Sequence, residues 1–379
     1  MADALPHCKI HTSGPFTVFA TREYYEQLTH DIMATKAGDR VALATMAFLP
    51  HSSIAKPLIE ALAEAARRGV TTSLQVDSYI FMIGSQRIPG PLFWSATPLS
   101  TGRSMAPLFR KKWNVVQLLR DAGVTVTITN PPHQRYTSPF AGRSHIKYSV
   151  VNNTVYLGGC NIGQEHLDVM VRFESRQTAD WIITLNNQRQ IQPQTRQAWG
   201  DADFVRRVDH ASSIIIDAGV KNQSAIYDEA LAIIDRAKEW VVITCQYFPH
   251  SITGQHLKRA HERGVKVYPI FNHYSSHKVP HTLLQWSVTR RERQRLPTTF
   301  FDSELPPHSR YLHAKILATD QEVLVGSHNY VPAGVRFGTA EIALHTIDPN
   351  LSKACARLIT EETALAAKSA FSFLAAENQ

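Results

Sequence analysis

Two histidines in this chain are each followed two residues later by a lysine. They are His145 and Lys147 in "HIKYSVVNNTVYLGGCN", and His313 and Lys315 in "HAKILATDQEVLVGSHN". An imidazole can act as nucleophile or general acid, and an ammonium can neutralise an anion. On a strand, positions i and i+2 project from one face, so each pair addresses one spot while Ile146 and Tyr148 turn the other way. Asn161 and Asn329 close the two stretches and offer amides that donate hydrogen bonds. Gly158 and Gly159 leave room for a ligand's oxygens, and Gly159 and Ser327 are expected beside a bound phosphate. Two such sets facing each other would place two histidines across one phosphate. One would attack phosphorus to form a phosphohistidine; the other would protonate the leaving oxygen and then activate an alcohol or water.

Such a histidine needs an acid on its other nitrogen to fix its tautomer. "HLDVMVRFE" offers Asp168 after the first motif and "TAEIALHT" offers Glu341 after the second, with Glu174 as an alternative in the first half. Both acids open alternating apolar runs, so both belong to strands that could pass behind the site. A lone His-x-Lys on a strand is ordinarily structural. Here the two copies align without a gap and share five of seventeen positions: the His, the Lys, Val155/Val323, Gly158/Gly326 and Asn161/Asn329.

The elements that must position these residues repeat as well. "FLPHSSIAKPLIEALAEAARRGVTTSLQV" (48–76) mirrors "YFPHSITGQHLKRAHERGVKVYPIF" (247–271), and "PPHQRY" (131–136) mirrors "PPHSRY" (306–311). Each copy reads as strand, amphipathic helix, glycine stop and strand, with Gly69 and Gly264 at the left-handed position after the helix. That order implies an α/β fold of two homologous lobes, each a mixed β-sheet flanked by helices, with the site where the lobes meet. The lobes are expected over residues 1–200 and 201–379, with "QRQIQPQTRQ" (188–197) as the linker. A length of 379 residues suits two domains.

Charged residues make up 19% and the hydrophobic set 44%, a globular balance, and the net charge of +8 favours anionic partners. Four scattered cysteines form no CxxC pair, which argues against a thiolate metal site and for a reducing compartment. No secretory leader or run of eighteen apolar residues stands out. The expectation is a cytoplasmic protein at most attached to a membrane surface, using no metal and no cofactor.

The pattern HxK-x4-D-x5-G-[SG]-x-N, present twice, resembles the signature of the phospholipase D superfamily. The second copy matches throughout, with Asp320 at the acid position; the first carries Asn152 there. Asn152 is expected to face away from the reacting phosphate and to cap a turn. Within the superfamily, "GGCNIGQEHLDVMVRFE" and "HAKILATDQEVLVGSHNYVPAGVRFGTAEIAL" are similar to the motifs of bacterial cardiolipin synthases. The resemblance implies metal-independent transphosphatidylation through a phosphohistidine, with phosphatidylglycerol or a related anionic phospholipid as substrate. It further implies His145 as nucleophile and His313 as acid/base, although chemically the two can exchange. A nucleic-acid phosphodiesterase on the same scaffold is the alternative, with nucleic acid as partner; a catalytically idle binding protein is a third reading.

Other stretches carry less. Residues 79–113 mix Trp, Phe, Ile and Met with Arg110, Lys111 and Lys112 and suit either a membrane-docking region or core aromatics with a solvated flank. "RRERQR" (290–295) suits headgroups or a solvated helix face, the latter preferred. His273, His277 and His281 are spaced for metal on a helix, but Pro280 interrupts it. Arg135 and Arg310 are candidate phosphate contacts or parts of a shared turn.

Overall fold

The computed structural model describes residues 11–77, 107–129, 143–190, 203–277 and 281–374. The first lobe runs β1 (His11–Ser13), β2 (Phe16–Ala20), α1 (Thr21–Met33), β3 (Arg40–Thr45), α2 (Lys56–Arg67) and β4 (Thr71–Asp77). It continues with α3 (Pro107–Asp121), β5 (Thr125–Thr129), β6 (Tyr148–Val151), β7 (Thr154–Gly158), β8 (Val169–Glu174) and α4 (Arg176–Gln190). The second lobe opens with β9 (Phe204–Arg207), β10 (Ser212–Asp217), α5 (Ala225–Arg236), β11 (Trp240–Thr244), α6 (Ile252–Glu262) and β12 (Lys266–Asn272). After α7 (His281–Glu292) come β13 (Glu304–Leu305), β14 (Ile316–Thr319), β15 (Val323–Gly326), α8 (Pro332–Phe337), β16 (Glu341–Thr346) and α9 (Pro349–Glu362). The linker expected at 188–197 and the segment 79–106 fall mostly outside the described residues.

Each lobe contains one eight-stranded mixed sheet. The orders are β1-β2-β8-β7-β6-β3-β4-β5 and β13-β12-β11-β14-β15-β16-β10-β9, which are one topology read from opposite ends. The repeated strand–helix–strand units form parallel pairs, β3 with β4 and β11 with β12. α2 forms because Leu58, Ile59, Leu62 and Ala65 recur at helical spacing and bury one stripe against the sheet. Beyond the ends of α2 and α6, Gly69 and Gly264 take φ of 89° and 92°, the left-handed conformation a side chain disfavours.

The strands that carry the motifs are buried on both faces, as their continuous apolar runs require. In β6 and β7, Tyr148, Val150, Val155 and Leu157 face a central core. Val151 and Tyr156 face the outer helices instead, and Ser149 there hydrogen-bonds the Tyr24 hydroxyl at 2.8 Å. The central core is common to both lobes, since Ile316, Ala318, Val323 and Val325 of β14 and β15 belong to it. α9 packs across the join, touching β14 and β15 of its own lobe and β1 and β2 of the other. The lobes therefore share a hydrophobic interior and fix each other's position.

Asn152 lies in the β6–β7 turn with φ of 54°, where asparagine is favoured over most residues. Its Oδ1 accepts the Arg40 N–H at 3.1 Å, bracing the start of β3. Asp320 does the matching work in the other lobe, its Oδ1 accepting from Lys238 N at 3.1 Å and Glu239 N at 3.0 Å. Both sit at the strand ends remote from the histidines.

Candidate active site at the lobe interface

The last residues of β4 and β12 set where each histidine begins. The Asp77 carboxylate accepts the Ser144 N–H at 2.8 Å and pairs with Arg143 at 3.2 Å, all buried. In the second lobe the Asn272 side chain accepts the Leu312 N–H at 2.9 Å and donates to the Leu312 carbonyl at 2.7 Å. The residue just before each histidine is thus clamped by a polar side chain at the end of a central strand.

The same segments bridge the lobes. Ser144 pairs in parallel with Ala340, and Leu167 with Leu312. The His145 N–H donates to the Ala340 carbonyl at 2.8 Å, and the His313 N–H to the Leu167 carbonyl at 2.7 Å. Ala340 and Leu167 immediately precede the two acids, so each histidine is tied by its backbone to the acid of the other lobe. The side chains follow. His145 Nδ1 lies 2.8 Å from Glu341 Oε2 and 3.0 Å from Oε1; His313 Nδ1 lies 2.5 Å from Asp168 Oδ2. The pairing is crossed between the lobes. Register is the reason, because the interlobe bridges align each histidine with the strand start of the opposite sheet. Glu174 is far from this role, being exposed and paired with Arg172 and Thr154 at the other end of β8.

Burial and charge set the protonation of the cluster. Burial would raise the Glu341 carboxyl, but His145, then His328 and Lys147, outweigh it and hold it at about 2. Asp168 is likewise held at about 2 against its burial, by Lys315, His313 and Lys147. Both carboxylates are ionised at neutral pH, so each bound Nδ1 carries the proton and each Nε2 keeps its lone pair. Burial pushes His145 below its ordinary value, and burial followed by Lys315 pushes His313 down to about 3. Lys147 and Lys315 are wholly buried and donate back to the carbonyls of their own histidines, Lys147 at 2.9 Å. Burial, then Lys315, lowers Lys147 to about 7. Each lysine acts electrostatically on the other lobe's histidine, so the two motifs form one site. That site is built for an anion: an opposite charge seated there favours the protonated lysines and histidines.

Residues 230–361 match the family model described as cardiolipin synthase, PLD-like domain. Over that segment, most of the second lobe, the chain is similar to the phospholipase D superfamily. Its two-lobed fold is similar to the crystal structure of phosphatidylserine synthase from Haemophilus influenzae Rd KW20, at 13% identity and a TM-score of 0.63. That likeness covers 95% of this chain and 87% of the other. It is also similar to polyphosphate kinase from Porphyromonas gingivalis, at 13% identity and a TM-score of 0.53, over 91% of this chain and 47% of that one. At such identities the likeness is one of fold. No curated protein matches the chain.

Within this phospholipase D-like site the structure brings together His145, Lys147, Asp168, His313, Lys315 and Glu341. The motif glycines have a different task from the one expected. A Cβ on Gly159 would lie 2.0 Å from Asp168 Oδ1, and one on Gly158 2.0 Å from the Val169 carbonyl. They admit the acid and its strand rather than a ligand. Ser327, at the place corresponding to Gly159, donates its hydroxyl to Glu341. The Asn161 Oδ1 accepts from Ala47 N at 3.0 Å and its amide donates to Gln164 at 2.8 Å, so it shapes the loop after β3. The Asn329 Oδ1 is buried without a partner among the described residues.

Arg310 donates to the Glu165 carbonyl of the other lobe at 3.2 Å and to Glu362 at 3.0 Å; Arg135 lies outside the described residues. Of the spaced histidines, His273 bonds Ser275 and His277 bonds the Tyr311 hydroxyl. Sequence reasoning missed three neighbours, His166, Tyr311 and His328. The His166 ring lies tilted at 4.7 Å from that of Tyr311 and 5.6 Å from that of His313, and the Tyr311 hydroxyl lies 3.0 Å from His277 Nδ1. His328, buried between Ser327 and Asn329, accepts the Tyr330 N–H on Nδ1. Closeness in sequence to Asp168, His313 and Asn329 was the signal for His166, Tyr311 and His328 respectively.

Proposed function

We propose that the chain transfers a phosphatidyl group on glycerophospholipids through a phosphohistidine, in the manner of a cardiolipin synthase, at a membrane surface. The observation that carries this reading is the crossed pair of Nδ1-anchored imidazoles, each beside a buried lysine. His145 Nε2 attacks phosphorus, the bond to the leaving alcohol oxygen breaks, and protonated His313 supplies that oxygen with its proton. His313 then takes the proton of the incoming alcohol or water, whose oxygen attacks phosphorus and releases His145. Lys147 and Lys315 offset charge on the phosphoryl oxygens, while Glu341 and Asp168 stabilise whichever imidazole becomes positive. The lipid substrate rests on the description of the matched family model.

The test is incubation of the full chain with phosphatidylglycerol vesicles, reading cardiolipin, glycerol and phosphatidic acid by mass spectrometry. Turnover lost in His145→Ala and His313→Ala, with a 32P label trapped on His145 in acid-quenched wild type, is the expected result. Cleavage of single-stranded DNA with no lipid product would instead place the same chemistry on nucleic acid. Full activity in either histidine variant would rule out the mechanism.

A further inference from the structure

The helix α7 is inside out. Its buried stripe is polar, Gln285, Thr289 and Glu292, while Leu283, Leu284 and Trp286 stand 65%, 56% and 43% exposed. On a helical projection these apolar residues share the outward face with Arg290 and Arg291, which are exposed as well. Arg290 covers the Trp286 ring at 5.3 Å from its centroid. A solvated helix has no use for three exposed large apolar side chains at its start, and a core helix would turn them inward.

The surroundings extend this face. Arg291 and Arg336 both act on His250, next to the start of α6, so the basic charge of α7 is continuous with that of α8. Ile252, opening α6, and Phe337, closing α8, are exposed at 46% and 42%. α8 follows closely in sequence on Asn329 and Tyr330, the end of the second motif. Of the acids on α7 and beside it, Glu292 is buried and Glu304 is taken by Arg293.

We infer that α7 is the element by which the protein docks on an anionic phospholipid bilayer. Leu283, Leu284 and Trp286 enter the acyl boundary, and Arg290 and Arg291 meet the headgroup phosphates. Leading apolar residues, an interfacial tryptophan and trailing arginines on one face are the chemistry of a lipid surface. A protein partner of matching shape would be expected to answer the arginines with fixed acids, whereas a bilayer answers both components at once. This inference rests on the phosphatidyl-transfer reading for its purpose. Its measurement needs no turnover, so the two can fail separately.

The experiment is flotation of the full chain with vesicles of phosphatidylglycerol and phosphatidylcholine, or of phosphatidylcholine alone. Wild type is expected to partition onto the anionic vesicles and at least tenfold less onto the neutral ones. The Leu283→Ser/Leu284→Ser/Trp286→Ser and Arg290→Glu/Arg291→Glu variants should each lose tenfold or more on anionic vesicles, with thermal unfolding unchanged. Because a triple change can unsettle the fold, Trp286→Ser alone is measured beside it and should lose about threefold. Wild-type flotation that neither variant alters would overturn the proposal, as would no flotation of wild type. Loss of a dimer in sedimentation velocity without loss of flotation would assign the face to a second copy of this chain. Loss of DNA binding alone in the arginine variant would assign it to nucleic acid.

Discussion

The crossed pairing of histidine and acid can be tested without knowing the substrate. His145 touches Glu341 and not Asp168, so a double-mutant cycle on His145→Ala and Glu341→Gln should show coupling, and one on His145→Ala and Asp168→Asn should not. Glu341 is held at about 2 against an ordinary 4.5, which corresponds to roughly 3 kcal/mol favouring the ionised form. His145 heads the favourable contributors, ahead of His328 and Lys147. Its share, as a buried charge-assisted hydrogen bond, is about 2 kcal/mol. Because one core spans both lobes, unfolding in urea is expected as a single transition, from which the four free energies of each cycle are read. The expected coupling is about 2 kcal/mol for His145 with Glu341 and below about 0.5 kcal/mol for His145 with Asp168. The same contrast should hold inverted for His313. Coupling of His145 to Asp168 with none to Glu341 would refute the interlobe register and everything built on it.

Three further outcomes follow from the geometry. Lys147, lowered to about 7, is partly deprotonated in the empty site at pH 8, and a bound anion restores its charge. Calorimetric titration with inorganic phosphate at pH 8, in buffers of different ionisation heat, should show proton uptake by the protein, and its absence would count against a lowered Lys147. Gly159→Ala puts a methyl 2.0 Å from Asp168 Oδ1, so it should displace the acid and cost at least tenfold in turnover and about 2 kcal/mol in urea stability. Asn152→Asp keeps the acceptor for Arg40 N and should change turnover less than tenfold, whereas Asn161→Ala strands the buried Ala47 N–H and should cost about 1–3 kcal/mol of stability.

The sequence told most about the fold where it repeats. The paired strand–helix–strand units, the glycine stops and the two-lobed α/β arrangement are all present, because period and repetition are local properties of the chain. The histidines and lysines were legible for the same reason. What stayed hidden was assigned by contacts between distant segments. Nothing in "HLDVMV" says that Asp168 faces His313, since that follows from Leu167 pairing with Leu312 across the interface. Gly159 looked like space for a ligand because a missing side chain does not name its neighbour; the neighbour is an acid. Likewise Asp77 and Asn272, one a carboxylate and one an amide, clamp equivalent backbone groups, and their different types concealed the shared task. The inward polar stripe of α7 blurred its periodicity, so only exposure revealed which face was outward.

The exchange of acids between lobes bears on how such a chain can be built and inherited. Either half by itself holds a histidine without its acid and an acid without its histidine. A lone half could assemble the full set only by meeting a copy of itself about a two-fold axis, which supplies each missing partner by symmetry. Joining two copies in one polypeptide removes that obligation of identity. Each half then drifts under its own constraint: Asn152 opposite Asp320, Gly159 opposite Ser327, Asp77 opposite Asn272, Asp168 opposite Glu341. The reciprocal bonds do within one chain what such a symmetric pair would do between two, and they explain why neither half can be discarded.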